Sequence, residues 1–243
     1  ASICRILLRE VGIAVGSRVV QIHTVKDETL LSEHITPEAL NKKADKSPVR
    51  CLDKKVEKRM IDAIDKAKQE GDSVGGVFEV VASGLPYGLG SHTKWDAKLH
   101  ARIAESIMSV NAFKGIEIGM GFESARHLGS AVHDEIGWDG KKYTRYSNNA
   151  GGIEGGMSNA QPIVIRAVMK PIPTLIKPLR SVDIETKEEK LAHKERTDTC
   201  AVPAASVVAE SMLCFVLADA MLEKFGGDTM DQLKAHIKVS GNY

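Results

Sequence analysis

The chain has 243 residues, 43% of them hydrophobic and 27% charged, with a formal net charge of +1 at pH 7. That is enough for one large domain or two small ones around a buried core, and the balanced charge argues against a broad polyanion-binding role. Aromatics are only 5%, too few for a base-stacking platform; no apolar run reads as a membrane span and no basic-then-apolar leader opens the chain.

Residue 1 is not Met, and Ala1-Ser2-Ile3-Cys4 runs straight into a helical pattern, so the expectation is an upstream removal or part of a longer protein. Ile3, Ile6, Leu7, Leu8 and Val11 form the end of that apolar stripe, closed by Gly12. Alternation from Ile13 to Ile22 predicts a strand with Gly16 as a weak point. Thr36-Pro37-Glu38 is a helix start, with a capping hydroxyl followed by proline in the first turn. A helix is predicted over about 53–69, with Leu52, Val56, Met60, Ile64 and Ala67 on one face and Gly71 as its stop. Val77 to Val81 reads as a strand, and Gly84 to Gly90 as a loop. A third helix carries Leu99, Ile103 and Ile107 inward; Ile116 to Ile118 is extended; Ile163 to Met169 is a longer strand. The last helix opens at Pro203, with Val207, Val208, Met212, Phe215, Leu222 and Phe225 expected to face inward and Gly226-Gly227 as its stop. The irregular alternation of helices and strands indicates α+β and not a doubly wound βαβ array.

Cys4, Cys51, Cys200 and Cys214 are scattered without a CxxC, which excludes a zinc ribbon or a thioredoxin-type pair; free thiols are the expectation. Gly119-Met120-Gly121 begins like a dinucleotide fingerprint but lacks its third glycine. The 84–90 loop has no GK[ST] ending, so a nucleotide-phosphate module has neither of its signatures. His127 and His133 are six apart, a poor metal spacing, and are read as solvated loop histidines.

Four segments stand out as chemistry. Asn111 sits where a helix gives way to a strand, fit for a polar ligand edge or for a routine helix cap. Gly151-Gly152-Ile153-Glu154-Gly155-Gly156 is the densest glycine run, fit either for close ligand approach or for a tight turn. Lys170-Pro171-Ile172-Pro173-Thr174 is fit either to offer a fixed cation and a hydroxyl on a stiff strand exit or simply to punctuate a strand end with a solvated Lys170. Arg196-Thr197-Asp198-Thr199-Cys200 runs into the last helix, whose first N–H groups favour an anion. Arg196 could clamp a phosphate there, and Asp198 could be a general acid or base or simply a local cap.

Taken in order with Ile116-Glu117-Ile118-Gly119 and His133-Asp134-Glu135, these stretches resemble the chorismate synthase family over essentially the whole chain. The resemblance implies a lyase that converts 5-enolpyruvylshikimate-3-phosphate to chorismate and phosphate by 1,4-anti elimination. It also implies a requirement for reduced FMN, with NADPH as a source of reducing equivalents. Carried over by position, it implies FMN contacts at Asn111, Ala112, Gly155, Lys170, Pro171, Ile172, Pro173, Thr174 and Arg196, and proton handling near the flavin N5 by Asp198. A β-α-β sandwich with internal pseudo-twofold symmetry, assembled as a cytoplasmic homotetramer, is implied as well. No metal, nucleic acid or membrane partner is expected.

The family's Gly-Glu-Ser-His-Gly stretch, its two catalytic histidines and most of its substrate arginines have no counterpart here, and His127 and His133 do not replace them. Residues 1–243 are therefore expected to be the C-terminal majority of one such domain, with core surface left exposed. The alternative is an inactive fragment that keeps only flavin-binding or oligomer-forming surfaces.

Overall fold

The computed structural model describes residues 1–31, 35–141, 143–196 and 198–240. In chain order it contains α1 (Ser2–Glu10), β1 (Ala14–Ile22), β2 (Val25–Lys26), α2 (Pro37–Ala44), α3 (Lys54–Gln69), β3 (Gly76–Ser83), β4 (Tyr87–Gly90), α4 (Leu99–Met108) and β5 (Phe113–Ile118). A 3-10 turn at Gly121–Arg126 leads to α5 (Gly129–Val132), β6 (Ile136–Trp138), β7 (Tyr143–Arg145), β8 (Ile153–Glu154), β9 (Met157–Asn159) and β10 (Ile163–Met169). The chain continues through β11 (Arg180–Val182), β12 (Glu189–Leu191), α6 (Val202–Phe225) and α7 (Met230–Val239).

The central sheet has the order β2-β1-β3-β10-β5, and each of its pairings is antiparallel. Antiparallel neighbours far apart in sequence, with helices gathered on the sheet faces, make the architecture α+β, as the alternation of elements predicts. One face carries Val19, Phe78, Val80, Ile163 and Ile165, all fully buried, and α1, α4 and α6 pack over it. On the other face α2 covers Val81 through Leu40 and Ala44. Gly16 is not a weak point there. A side-chain carbon at Gly16 would lie 2.3 Å from the Pro37 carbonyl oxygen, so glycine is what lets α2 begin against the strand.

Register on this second face is fixed by charge. Arg18, Glu79, Arg166 and Glu117 stand opposite one another on β1, β3, β10 and β5. Arg18 Nε meets Glu79 Oε1 at 2.9 Å and Arg166 Nε meets Glu117 Oε2 at 3.5 Å. A one-residue slip would set these groups against the apolar face, so the rung disfavours misregistered pairings.

The last helix corrects two sequence expectations. Val202–Phe225 is long and apolar enough to cross a membrane by length and composition, with mean hydropathy 1.8, although more than half of that window is buried within the fold. Its inward side is also different. Phe225 is buried as expected and Met212 packs against the core, but Ala205, Ala209, Leu213, Leu217 and Met221 make up the rest of the buried side, whereas Val207, Val208, Phe215 and Leu222 are 43–47% exposed. A helix that is apolar all round carries no periodic contrast from which its buried face can be read. Residues 84–90 are not simply a loop either, since Tyr87–Gly90 forms β4 and pairs with β9.

All four cysteines are free thiols. Cys51 is buried and donates to Asp27 Oδ2 at 3.3 Å. Burial, with the Asp27 charge beside it, pushes the Cys51 thiol up to about 12. Its unfolded counterpart ionises near pH ~8.5, so the folded state holds this proton longer. Its stabilising contribution is therefore present below that pH and is lost as pH rises toward the folded value. Iodoacetamide at pH 8 is expected to leave Cys51 unmodified in native protein and to label it in urea. Peptide mass mapping checks this, and native labelling of Cys51 would contradict it.

Candidate functional site

One end of the sheet gathers most of the chemistry. Ile22, Gly76, Met169 and Phe113 form a single rung across β1, β3, β10 and β5. Just beyond that rung, the Lys170 N–H donates to the Ala112 carbonyl at 3.0 Å. Asn111-Ala112 and the Lys170–Thr174 exit are therefore adjacent. A third segment reaches the same end, because the Val74 N–H donates to the Thr199 carbonyl at 2.8 Å. This places Asp198 and the start of α6 beside the entry to β3.

Local backbone chemistry explains why these segments sit so close. Gly75 has no side chain, and a Cβ there would stand 2.3 Å from the Met169 carbonyl oxygen and 2.9 Å from the Pro171 nitrogen. Glycine is needed for β3 to enter beneath the Lys170–Pro171 exit. Ala112 adopts φ +70, a left-handed conformation that costs a non-glycine residue about 1–2 kcal/mol. Strain of this kind persists where surrounding bonds over-determine it, here the pairing with Lys170. Asn111 is not the helix cap, because Ser109 is the C-cap of α4; the Asn111 side chain is exposed beyond it.

The electrostatics favour an anion. Lys170 and Arg196 are exposed, and among the described residues neither pairs with a carboxylate. The N-cap of α6, Ala201, offers no side-chain acceptor to the first turn of a 24-residue helix. The Val202 N–H is taken by the Cys200 sulfur and Pro203 has no N–H, so what this helix start offers an anion is the positive end of its dipole. Pro171 and Pro173 are exposed, Ile172 and Thr174 half-buried, and Asp198 exposed; Thr197 lies outside the described residues.

Gly155 is not drawn into this end. It forms the turn between β8 and β9 with φ +60 and open space around its Cα. The neighbouring Gly156 carbonyl accepts from the Leu99 N–H at 2.8 Å, at the start of α4, whereas Asn111 follows the end of α4. The ten residues of α4 separate the two by about 15 Å. The glycine run is thus a hairpin turn, and its open tip leaves room for a close ligand.

His127 and His133 are exposed at the far end, the former 3.4 Å from Glu123. Asp134 between them and the hairpin is an organiser. It accepts from the Ser147 hydroxyl, the Asn149 N–H at 2.7 Å and the Ala150 N–H at 2.9 Å. Desolvation alone would raise its pKa, but these bonds and the Arg145 charge outweigh burial and hold it below the usual carboxylate range. Among the described residues no group of three or more His, Cys, Asp or Glu is placed to hold a metal.

Sequence reasoning does not flag Asp72-Ser73-Val74-Gly75, which ties these segments together. The Gly75-Gly76 pair at a strand entry was the available signal of close backbone approach.

Comparison with known proteins agrees on one family. The family described as "Chorismate synthase" matches residues 1–222. "Chorismate synthase 2" of Bacillus cereus is 54% identical over all 243 residues, which span 62% of that relative. "Chorismate synthase" of Geobacillus sp. is 51% identical with the same coverage. The solved structure "Crystal Structure of Chorismate Synthase" aligns with TM-score 0.83 and 45% identity, over 98% of this chain and 66% of that one. The chain thus spans about 62% of the length of the curated relatives it matches.

Proposed function

The chain belongs to the chorismate synthase family, and from that premise we propose that it carries the flavin wall of a phosphate-eliminating lyase. The reaction proposed is the 1,4-anti elimination of phosphate from 5-enolpyruvylshikimate-3-phosphate to give chorismate, with reduced FMN. The observation that carries this reading is the meeting of Asn111-Ala112, Lys170–Thr174 and Asp198–Cys200 at one sheet end, beside the start of α6.

That donor set fits FMN. Two cations, an exposed amide and the positive dipole end of α6 suit a phosphate and an electron-rich ring edge. When bound, reduced FMN would supply transient electron density to the allylic system from which phosphate departs. Lys170 and Arg196 would hold the anionic parts of the ligands. Asn111, the Ala112 backbone and Thr174 would orient the polar ring edge. Pro171 and Pro173 would keep Ile172 on a stiff wall with no N–H of their own to satisfy. Asp198 would hold a proton at the flavin N5. Gly155 joins this set only through a ligand or a neighbouring subunit that reaches the opposite end of α4; its open turn is compatible with either. NADPH as the source of reducing equivalents, a homotetrameric assembly and a cytoplasmic location complete the proposal.

The test is phosphate release from 5-enolpyruvylshikimate-3-phosphate under anaerobic conditions with reduced FMN. Phosphate and chorismate in equal amounts are expected from full-length protein that carries this chain, and no phosphate from that protein, folded and FMN-loaded, would sink the lyase reading. A second reading, a flavin-binding or assembly-forming chain without turnover, is favoured by the exposed apolar stripe Val207, Val208, Phe215 and Leu222. FMN binding without phosphate release would select it.

A further inference from the structure

The geometry points to Ser73 as a positioning residue for the Lys170–Thr174 wall, a role that rests on the flavin reading above. Ser73 is buried, and its hydroxyl donates to the Ile172 carbonyl at 2.7 Å across 99 residues of sequence. Ile172 lies between Pro171 and Pro173, which lack N–H groups. A stretch with two such gaps has fewer donors with which to tie itself down, so an acceptor bond to one of its carbonyls carries more of the anchoring. Prolines at 171 and 173 also bias Lys170 and Ile172 toward extended backbone, which makes the stretch a stiff rod.

Such a rod is fixed by where it is pinned, and three pins are visible. At one end the Lys170 N–H donates to Ala112, and at the other the Lys177 N–H donates to the Gly71 carbonyl at 2.9 Å. Ser73 supplies the pin in the middle. Two residues on from Gly71 and one before Val74, it belongs to a short run that also binds Thr199. The 71–75 run therefore sets the spacing between the cation of Lys170 and the segment that bears Arg196 and Asp198. Loss of the Ser73 hydroxyl would leave both segments present but their separation loose. Binding groups misplaced by about 1 Å lose much of their effect.

The experiment compares wild type, Ser73→Ala and Ser73→Thr by hydrogen exchange of peptides covering 170–177 without flavin, by FMN titration and by thermal melting. Ser73→Ala is expected to lose protection in 170–177 and to weaken FMN binding about 5- to 10-fold, with the melting temperature nearly unchanged. Ser73→Thr, which keeps a hydroxyl, is expected to restore both. Unchanged protection and affinity in Ser73→Ala would overturn the proposal, as would loss of cooperative melting, which would mark a purely structural residue. Failure of wild type to bind FMN would instead overturn the flavin reading, while the exchange comparison would still decide whether Ser73 pins the wall.

Discussion

Replacing Glu210 with alanine is expected to destabilise the fold by about 3–5 kcal/mol, the range for breaking a buried ion pair from one side. Glu210 lies in the middle of α6 and is 2% exposed. Its Oε1 accepts from the Ser17 hydroxyl at 2.5 Å and from Arg50 Nη2 at 3.3 Å. Its Oε2 accepts from Arg5 Nη2 at 2.6 Å and from Asn41 Nδ2 at 3.1 Å. One carboxylate thereby joins α1, β1, α2, the Arg50 turn and α6. Arg50 is itself buried, and its Nε has no partner among the described residues, so it can ill lose another acceptor. Arg5 is different, because its side chain is 38% exposed and can turn to water. Arg5→Ala leaves Glu210 with Ser17, Asn41 and Arg50 and should therefore cost less, about 1–3 kcal/mol. Urea unfolding of both variants checks the contrast; equal small losses would mean that the network does not hold α6 in place.

In full-length protein that carries this chain, Asp198→Asn is expected to slow turnover by about 10²- to 10⁴-fold, the usual contribution of a positioned acid or base, with FMN affinity little changed. Asp198 precedes Thr199, whose carbonyl is fixed by the Val74 N–H, so its backbone is held beside the Lys170 wall. Asparagine keeps the size of the side chain and removes its proton chemistry. Phosphate release and FMN titration on the same preparation separate the two effects. Equal losses in turnover and affinity would assign Asp198 to structure.

The elements easiest to read in the sequence were those with strong contrast at one period. Ile163–Met169 has the bounds expected of it, because branched residues and a following Lys-Pro leave no other reading. Leu99, Ile103 and Ile107 are fully buried as their spacing requires, and Asp53 caps α3 by accepting from Lys55 and Val56. The failures have physical causes as well. α6 offers no polar face to orient it, so its buried side depends on what packs on it. The hairpin strands β6–β7 and β11–β12 are three residues each, too short for alternation to register. α7 was not anticipated, although Thr229 and Gln232 form a capping box at its start. At the candidate site the residue types were legible, but not their meeting. Asn111, Lys170 and Asp198 come together through backbone bonds from Ala112 and Val74, residues whose side chains announce nothing. Gly155 illustrates the reverse: a conspicuous motif that the fold holds at the other end of α4.

Whether this end of the sheet is a flavin site is tested most directly by titrating reduced FMN into wild type and the Lys170→Ala/Arg196→Ala variant, with melting curves to confirm that both are folded. Both cations are exposed and stand outside the core, so their removal should leave the fold intact. Saturable binding by wild type is expected, weakened at least about 10-fold in the double variant, as befits loss of charged contacts to an anion. Equal affinity in the two proteins, or no saturable binding by folded wild type, would contradict the assignment of this site.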